Sequence, residues 1–205
     1  MKTVRFEKDG AIGSIVLANP PFNRIDSTYA ANLLDAVHQA SESGIRVLVI
    51  RAEGPNFSFG GEVREWPGKD INWFRTFVAE VNQSYRAIEA LRVPTLASVQ
   101  GIAMGGGFEL ALACDLIIAA EDAVFQNVEV TTGMLPIAGG SLPILAALER
   151  CEWLYSGTGC PPWKVSSSVL CRISFRPTDL RKRQAPWRAI WRPAPLGLMA
   201  LCEHY

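Results

Sequence analysis

The amino-acid sequence predicts an α/β fold, because short apolar runs alternate with amphipathic segments along residues 1–140. The runs have the length of strands, and the longer segments repeat apolar residues every three to four positions, as helices do. The composition, 49% hydrophobic and 20% charged over 205 residues, is that of a globular protein and excludes disorder or collagen-like repeats. In such folds the loops that follow strands carry the functional site, so those loops are the first candidates.

Turn residues and apolar periodicity place the elements in order. Asp9-Gly10 is an expected hairpin turn, because both central positions of that turn tolerate positive φ. Ser27 and Asp70 are expected N-caps, and each precedes an apolar stripe with helical spacing. Continuous apolar runs predict strands that are covered on both faces. The predicted elements are strands 3–8 and 11–17, a helix from Ser27 to about Glu42 that ends at Gly44, strand 47–50, a helix from Asp70 to about Leu91, strand 94–99, a helix from about Gly105 to Cys114 and a strand-turn-strand segment over 116–128.

The charge of the chain excludes a general attraction to nucleic acid or to an anionic membrane. Twenty Lys and Arg side chains balance twenty Asp and Glu side chains, so no net positive field exists to attract polyanions. The run Arg181-Lys182-Arg183 is expected to be a solvated segment rather than a nucleic-acid site. The longest uncharged stretch, residues 130–148, contains glycines and prolines that argue against a membrane-spanning helix. Neither nucleic acid nor a membrane is an expected partner.

Cysteine and histidine usage argues against a metal site. The five cysteines include no C-x-x-C pair, and the histidines are His38 and His204, so the spacing of zinc ligands is absent. Glu7 and Asp9 precede the first apolar run, which is the wrong order for a secretory signal. We therefore expect a cytoplasmic protein with reduced thiols and no bound metal.

The composition changes near residue 150. Residues 1–150 hold 12 basic and 17 acidic side chains, whereas residues 151–205 hold 8 and 3, with four of the five cysteines and four of the six tryptophans. Prolines interrupt the second part, and no apolar periodicity persists there for three turns. We take residues 1–140 as the core domain and residues 141–205 as an atypical C-terminal segment.

Two glycine-rich loops follow predicted strands: the first glycine loop, Phe57–Glu62, and the second glycine loop, Gly101–Glu109. Without Cβ atoms, glycines let a ligand approach the main chain, and the first N–H groups of a helix have no partner within it. Two such N–H groups that converge on one point form an oxyanion hole. The alternative is that the glycines only permit tight turns or close packing.

The spacing of these loops argues against two common site types. It matches neither G-x-x-x-x-G-K-[ST] nor G-x-G-x-x-G, which disfavours nucleotide cleavage. The sequence also lacks G-x-S-x-G and has no histidine near the loops, so a serine hydrolase would lack its base.

Two glutamates are candidates for proton transfer. Glu109 lies in the first turn of the helix after the glycines, and Glu129 follows the apolar segment 116–128. Each has a simpler explanation. The helix dipole favours a glutamate such as Glu109 in the first turn of a helix, and Glu129 could be a solvated loop residue. Buried beside an oxyanion hole, however, a pair of carboxyls suits general acid/base catalysis, since desolvation raises a carboxyl pKa toward neutrality.

Three segments between Asn19 and Gly140 resemble the crotonase family, also called the enoyl-CoA hydratase/isomerase family. Asn19-Pro20-Pro21-Phe22-Asn23 is similar to its N-P-P-x-N segment, and the first glycine loop to its F-x-A-G-x-D loop. Gly101 to Asp115 is similar to its G-x-A-x-G-G-G-x-E-L-A-x-x-C-D signature, which is highly specific. The resemblance implies a crotonase-like spiral of β-β-α turns.

The resemblance also implies a reaction. The N–H groups of Gly61 and Gly106 would bind the thioester oxygen of an acyl-CoA, and Glu109 and Glu129 fall on the two catalytic glutamates of the hydratases. The implied function is hydration of a trans-2-enoyl-CoA to a 3-hydroxyacyl-CoA. An isomerase, other thioester-enolate chemistry and a catalytically defective acyl-CoA-binding protein stay open as alternatives. The further substrate-binding residues that the resemblance implies are Phe59, Gly60, Gly105 and Gly133.

Further expectations follow from the family. Coenzyme A is part of the substrate, so no separate cofactor is expected, and the family-like assembly is a homotrimer or a dimer of trimers. Fatty acid metabolism is the implied context. The sequence departs from the family pattern at Phe59, where Ala is usual, at Glu62, where Asp is usual, and more extensively after Gly140.

We expect residues from about Ser141 onward to be a substituted region, for example one translated in a shifted reading frame, rather than the family's own C-terminal region. Without an amphipathic pattern, such a segment cannot repay an ordering cost of about 1–2 kcal/mol per residue. Fast hydrogen exchange through residues 160–200, a compromised trimer and weak or absent turnover are therefore expected. Slow exchange there, with a stable trimer and normal turnover, would identify the tail as a natural, divergent part of the fold.

Overall fold

A computed structural model describes residues 2–134, Pro136 and Val169–Leu170, all within Met1–Arg172, the first of two compact units of the chain. Two short 3-10 helices, Val63–Glu65 and Glu129–Thr132, supplement the regular elements. The strands and α-helices are β1 (Val4–Asp9), β2 (Ile12–Leu17), α1 (Tyr29–Glu42), β3 (Val47–Ala52), α2 (Ile71–Glu89), β4 (Thr95–Val99), β5 (Ile102–Met104), α3 (Gly106–Leu112), β6 (Leu116–Ala119), β7 (Val124–Gln126) and β8 (Val169–Leu170).

The described strands form two sheets. The larger has the order β1-β2-β3-β4-β6-β8, in which the four inner strands run parallel and the two edge strands run antiparallel to their neighbours. The smaller sheet is the parallel pair β5 and β7. In the unit β4-β5-α3, and again from β6 to β7, the chain passes from the larger sheet to the smaller one. The predicted α/β class is confirmed, and β5 is a strand that the sequence did not predict.

The predicted N-terminal hairpin is confirmed. Asp9 pairs with Ile12, so the two loop residues are Gly10 and Ala11, and Gly10 has a φ of +55°. This left-handed conformation costs glycine little because it has no Cβ atom. Asp9 itself is the last residue of its strand rather than part of the loop.

The predicted helix starts are correct for α2 and wrong by one residue for α1. The side chain of Asp70 accepts a hydrogen bond from the Trp73 N–H at 2.8 Å, as an N-cap should. The N-cap of α1 is Thr28, not Ser27. Asp26 makes the local turn instead, because its Oδ1 accepts from the Thr28 N–H at 2.9 Å.

The core includes the surface where α1 packs against β1 and β2 of the larger sheet, and α2 packs against α1. Along β3, Leu48 and Ile50 are fully buried whereas Val47 and Val49 are half-buried. Both faces of this strand are thus covered, as predicted, but the face of Leu48 and Ile50 is covered more completely. The predicted segment 141–205 lies outside the described residues except for Val169–Leu170, and its boundary stays a prediction.

Asn23 connects the loop after β2 to the loop after β3 through hydrogen bonds. Its side chain is 2% exposed, and its Nδ2 donates to the carbonyl oxygens of Glu53 at 2.8 Å and Asn56 at 2.9 Å. Its Oδ1 accepts from the Asn19 N–H at 2.9 Å. Because each group of the amide has a partner, this buried polar side chain stabilises the loop rather than costing free energy.

We expect Asn23→Asp to lower the free energy of unfolding by about 3 kcal/mol or more, because a carboxylate would face two carbonyl oxygens and lose both donated bonds. Urea denaturation followed by circular dichroism measures the change. Asn72→Asp is the matched control, since Asn72 is exposed on α2 and should shift the value by no more than about 0.5 kcal/mol. Equal urea midpoints for the two variants would contradict this role of Asn23.

Candidate active site

The two glycine loops lie directly against each other. The strands that precede them, β3 and β4, are parallel neighbours, so both loops leave the same edge of the sheet. The Ser58 N–H donates to the Ile102 carbonyl at 3.0 Å, and the Met104 N–H donates to the Ser58 carbonyl at 2.9 Å. A Cβ atom on Gly107 would lie 2.5 Å from Ser58 Cβ. Only glycine at this position permits so close an approach of the two backbones.

Gly61 and Gly106, one from each loop, line the same cavity of about 70 Å³. Among the hydrogen bonds between described residues, none has the N–H of either glycine as its donor. Glu109 and Glu129 line this cavity as well. The structure therefore brings together the four residues that were predicted to form the oxyanion hole and to transfer protons.

Glu109 reaches the cavity from α3. Its backbone N–H donates to the Gly105 carbonyl at 3.0 Å, in the first turn of the helix. The residue is only 3% exposed. Glu109 is therefore buried beside the glycines, although it lies in the first turn of its helix.

Glu129 reaches the cavity from the 3-10 helix after β7 and is 9% exposed. Burial raises the pKa of its carboxyl, because the charged form is poorly solvated there. A Cβ atom on Gly105 would lie 2.9 Å from Glu129 Oε1, and Gly105 has a φ of +52°. Because Gly105 has no side chain, the carboxyl of Glu129 can occupy the space beside it.

An apolar wall completes the cavity. The ring of Trp66 lies against Gly61, since a Cβ atom on that glycine would be 2.9 Å from Trp66 Cζ2. Trp66 also makes an edge contact with Phe74, with ring centroids 5.5 Å apart. Low polarity around the carboxyls strengthens electrostatic interactions within the cavity. The apolar lining residues are Ile25, Trp66, Phe77, Val78, Val81 and Met134.

Nothing in the sequence marked Trp66, Ile25 or Met134 as cavity residues. A signal existed for the other members of the wall, because Phe77 and Val81 belong to the apolar stripe of α2. The C-terminal part of that stripe, with Tyr85 and Ile88, packs in the core, whereas Phe77 and Val81 contact the core and also line the cavity. The apolar stripe of α2 is longer than the core requires. This extra length could have indicated that the helix also lines a cavity.

Four other predicted site residues do not line the cavity. Phe59 packs edge to face against Phe22, with ring centroids 4.9 Å apart. Gly60 has a φ of +72°, and a Cβ atom there would lie 2.8 Å from the Met104 carbonyl oxygen. Gly105 makes room for Glu129, as described above, and Gly133 ends the 3-10 helix with a φ of +71°. The roles of these four in substrate binding stay predictions.

Glu62, at the end of the first glycine loop, is part of an ion-pair group near the rim. Its carboxylate accepts from Arg64 Nε at 2.8 Å, and Arg24 Nε lies 3.8 Å from its Oε2. The hydrogen bonds from Arg64 lower the pKa of Glu62 to about 2, so this carboxylate stays charged. The Arg24 guanidinium also lies 5.7 Å from the centroid of the Phe59 ring.

Within the described residues, no three or more His, Cys, Asp and Glu side chains come together in a group that could hold a metal ion. No helix in the same part of the chain combines the length and the hydropathy needed to cross a bilayer.

Comparison with known proteins places the chain in a family. The model of the family described as enoyl-CoA hydratase/isomerase matches residues 7–148. A probable enoyl-CoA hydratase of Mycobacterium tuberculosis is 31% identical over 153 residues, which cover 74% of this chain and 59% of the relative. The mitochondrial enoyl-CoA hydratase domain-containing protein 2 of Mus musculus is 39% identical over 140 residues, which cover 66% of this chain and 46% of that protein.

Solved structures agree with these matches. The crystal structure of an enoyl-CoA hydratase from Polaromonas sp. JS666 superposes with a TM-score of 0.74 at 29% identity, covering 79% of this chain and 66% of that one. An enoyl-CoA hydratase from Bacillus anthracis gives a TM-score of 0.73, also at 29% identity, covering 80% of this chain and 66% of that one. The chain spans between 46% and 59% of the length of the two curated relatives described above. With the family model matching well over half of its residues, the chain belongs to the enoyl-CoA hydratase/isomerase family, whose crotonase fold the sequence predicted.

Proposed function

We propose that the protein hydrates an enoyl-CoA thioester, converting a trans-2-enoyl-CoA into a 3-hydroxyacyl-CoA. One observation carries the proposal: two backbone N–H groups without described partners and two buried carboxyls line the same small, largely apolar cavity. Membership of the enoyl-CoA hydratase/isomerase family supports the substrate class. The acyl group lies against the apolar wall, and coenzyme A arrives as part of the substrate, so the proposal needs no separate cofactor.

The N–H groups of Gly61 and Gly106 form the oxyanion hole in this proposal. Addition of water to the conjugated double bond moves negative charge onto the thioester oxygen, and the two donors stabilise that enolate. Each donor that is already in place lowers the barrier by about 3–4 kcal/mol, because no reorganisation is needed when the charge develops. The contact between the two glycine loops holds both groups in one place.

The two glutamates divide the proton transfers. Glu109 takes a proton from water while the water oxygen bonds to Cβ, and Glu129 gives a proton to Cα. The raised pKa of Glu129 favours this assignment, since a proton donor must be protonated near neutral pH. The cycle closes when Glu109 releases its proton and Glu129 regains one, each by exchange with solvent.

Two alternatives have support of their own. A shift of the double bond uses the same oxyanion hole and carboxyls, so the cavity also suits an isomerase or other thioester-enolate chemistry. A protein that binds acyl-CoA without turnover is the second alternative, because the chain spans 59% or less of the two curated relatives. Product analysis with a short enoyl-CoA separates hydration from isomerisation, and binding measured beside turnover separates catalysis from binding alone.

The remaining parts of the proposal concern the setting of the reaction. A homotrimer or a dimer of trimers and a role in fatty acid metabolism rest on the family resemblance, whereas a cytoplasmic location rests on the cysteine usage and the N-terminal sequence. Some relatives are named as mitochondrial proteins. Sedimentation analysis of the purified chain tests the assembly.

We expect Glu109→Gln and Glu129→Gln each to lower kcat for a short enoyl-CoA by about 10²–10⁴, because each removes a proton-transfer group and keeps its size. Binding of the acyl-CoA, measured by calorimetry, should change little. Glu80→Gln is the control, since Glu80 is an exposed glutamate on α2 and should leave kcat unchanged. Near wild-type hydration in both cavity variants would disprove the assignment.

We expect Gly106→Pro to lower turnover by about 10²–10³ relative to Gly106→Ala, because proline lacks the N–H and alanine retains it. Position 106 is the first residue of α3, where proline suits helix geometry. Alanine controls for the added Cβ atom, which would lie 2.7 Å from Ile25 Cδ1. The comparison requires circular dichroism spectra that show both variants folded, and equal turnover in the two would exclude Gly106 from the oxyanion hole.

A further inference from the structure

A buried tyrosine contacts the backbone of the second glycine loop from behind the cavity. Tyr85 lies on α2, is 2% exposed and is not among the residues that line the cavity. Its hydroxyl donates to the Gly106 carbonyl oxygen at 2.8 Å. Burial raises the pKa of Tyr85 well above its ordinary value, so the hydroxyl keeps its proton and stays a donor.

The Gly106 N–H belongs to the peptide group that precedes the Gly106 Cα atom, and the φ and ψ angles of Gly106 link the orientation of that group to the peptide group that follows. In the preceding group, the Gly105 carbonyl accepts from the Glu109 N–H at 3.0 Å. Gly105 is itself held to β7, because its N–H donates to the Gln126 carbonyl at 3.0 Å. In the following group, the Gly106 carbonyl accepts from Tyr85. Hydrogen bonds therefore restrain the backbone on both sides of this glycine.

The helix that begins here supplies little restraint of its own. α3 has seven residues, and its N-cap, Gly105, makes no side-chain capping bond. Glycine at the first helical position has more conformational freedom than any other residue. The Tyr85 hydroxyl, carried by the long helix α2, therefore supplies a restraint that the start of α3 lacks.

We propose that Tyr85 is a positioning residue for the Gly106 N–H: by holding the Gly106 carbonyl, it keeps this N–H directed at the thioester oxygen of a bound acyl-CoA. The inference rests on the proposed function, since that oxygen is the group the N–H would meet in the cavity. A donor in an oxyanion hole is effective when its geometry is set before charge develops. Loss of the restraint should therefore slow the chemical step more than it weakens substrate binding.

Tyr85→Phe tests the inference, because it removes the hydroxyl and keeps the ring. We expect kcat for a short trans-2-enoyl-CoA to fall about 10–100-fold, with KM within about threefold of the wild-type value. A second readout needs no turnover: the carbonyl stretching frequency of bound butyryl-CoA, measured by infrared difference spectroscopy. Hydrogen bonds to the thioester oxygen lower this frequency, and the lowering should be smaller in Tyr85→Phe than in the wild type.

Ser84→Ala is the matched control. Ser84 is the neighbouring residue on α2, is fully buried, and its hydroxyl also donates to a backbone carbonyl, that of Val81 at 2.7 Å. Its loss should lower stability without changing kcat or the carbonyl frequency. Should Tyr85→Phe fail to fold, 4-fluorophenylalanine at position 85 repeats the test, because it fills the space of the hydroxyl but cannot donate. Introduction of 4-aminophenylalanine, which restores a donor, should recover both readouts.

The outcomes separate the inference from the proposed function. A wild-type protein that shows neither turnover nor a lowered carbonyl frequency overturns the proposed function, and the role of Tyr85 with it. A lowered frequency in the wild type that persists unchanged in folded Tyr85→Phe overturns the role of Tyr85 alone. Equal losses in Tyr85→Phe and Ser84→Ala would likewise overturn it, since they would reflect stability rather than positioning.

Discussion

Backbone lies against backbone where the two glycine loops meet, and the geometry of the candidate site depends on that contact. The bonds of Ser58 to Ile102 and Met104 join the loops as two strands of a sheet are joined, and Gly107 allows Ser58 to lie against it. Because no side chain separates the loops, one N–H group from each can reach the same cavity. Parallel pairing of β3 with β4 brings the loops together in the first place.

The carboxyls depend on a second, smaller contact. β5 pairs with β7, and each of these three-residue strands leads into a segment that carries a glutamate. Backbone hydrogen bonds between β5 and β7 therefore bring the segments that carry Glu109 and Glu129 side by side. Apolar side chains of α2 and the ring of Trp66 line the cavity beside the carboxyls. Burial there raises the pKa of Glu129. The fold thus fixes the position of the Glu129 carboxyl and, through its burial, shifts the pKa of that carboxyl upward.

What the sequence predicted correctly is local. The Gly10 turn and the Asp70 cap depend on residues within three positions of each other, and the glycine loops carry a pattern that is recognisable without the fold. Two of the features that were missed depend on distant residues. β5 has three residues and becomes a strand only by pairing with β7, and Tyr85 reads as an ordinary core residue until α3 is placed beside it. The error at the N-cap of α1 has a local cause: the cap is Thr28 and not the predicted Ser27, because Asp26 makes a competing turn.

The candidate site joins parts of the chain that are far apart in sequence, which has a consequence for the order of folding. The bond from Ser58 Oγ to the Asn23 carbonyl spans 35 residues, and the bond from the Ile102 N–H to Asn56 Oδ1 spans 46. Closing such long loops costs entropy before any contact repays it, whereas the hairpin of β1 and β2 closes over two residues. The pairing of β2 with β3 and of β3 with β4 spans separations of the same length. We therefore expect the hairpin to form early, and the parallel sheet and the cavity at its edge to assemble later and together.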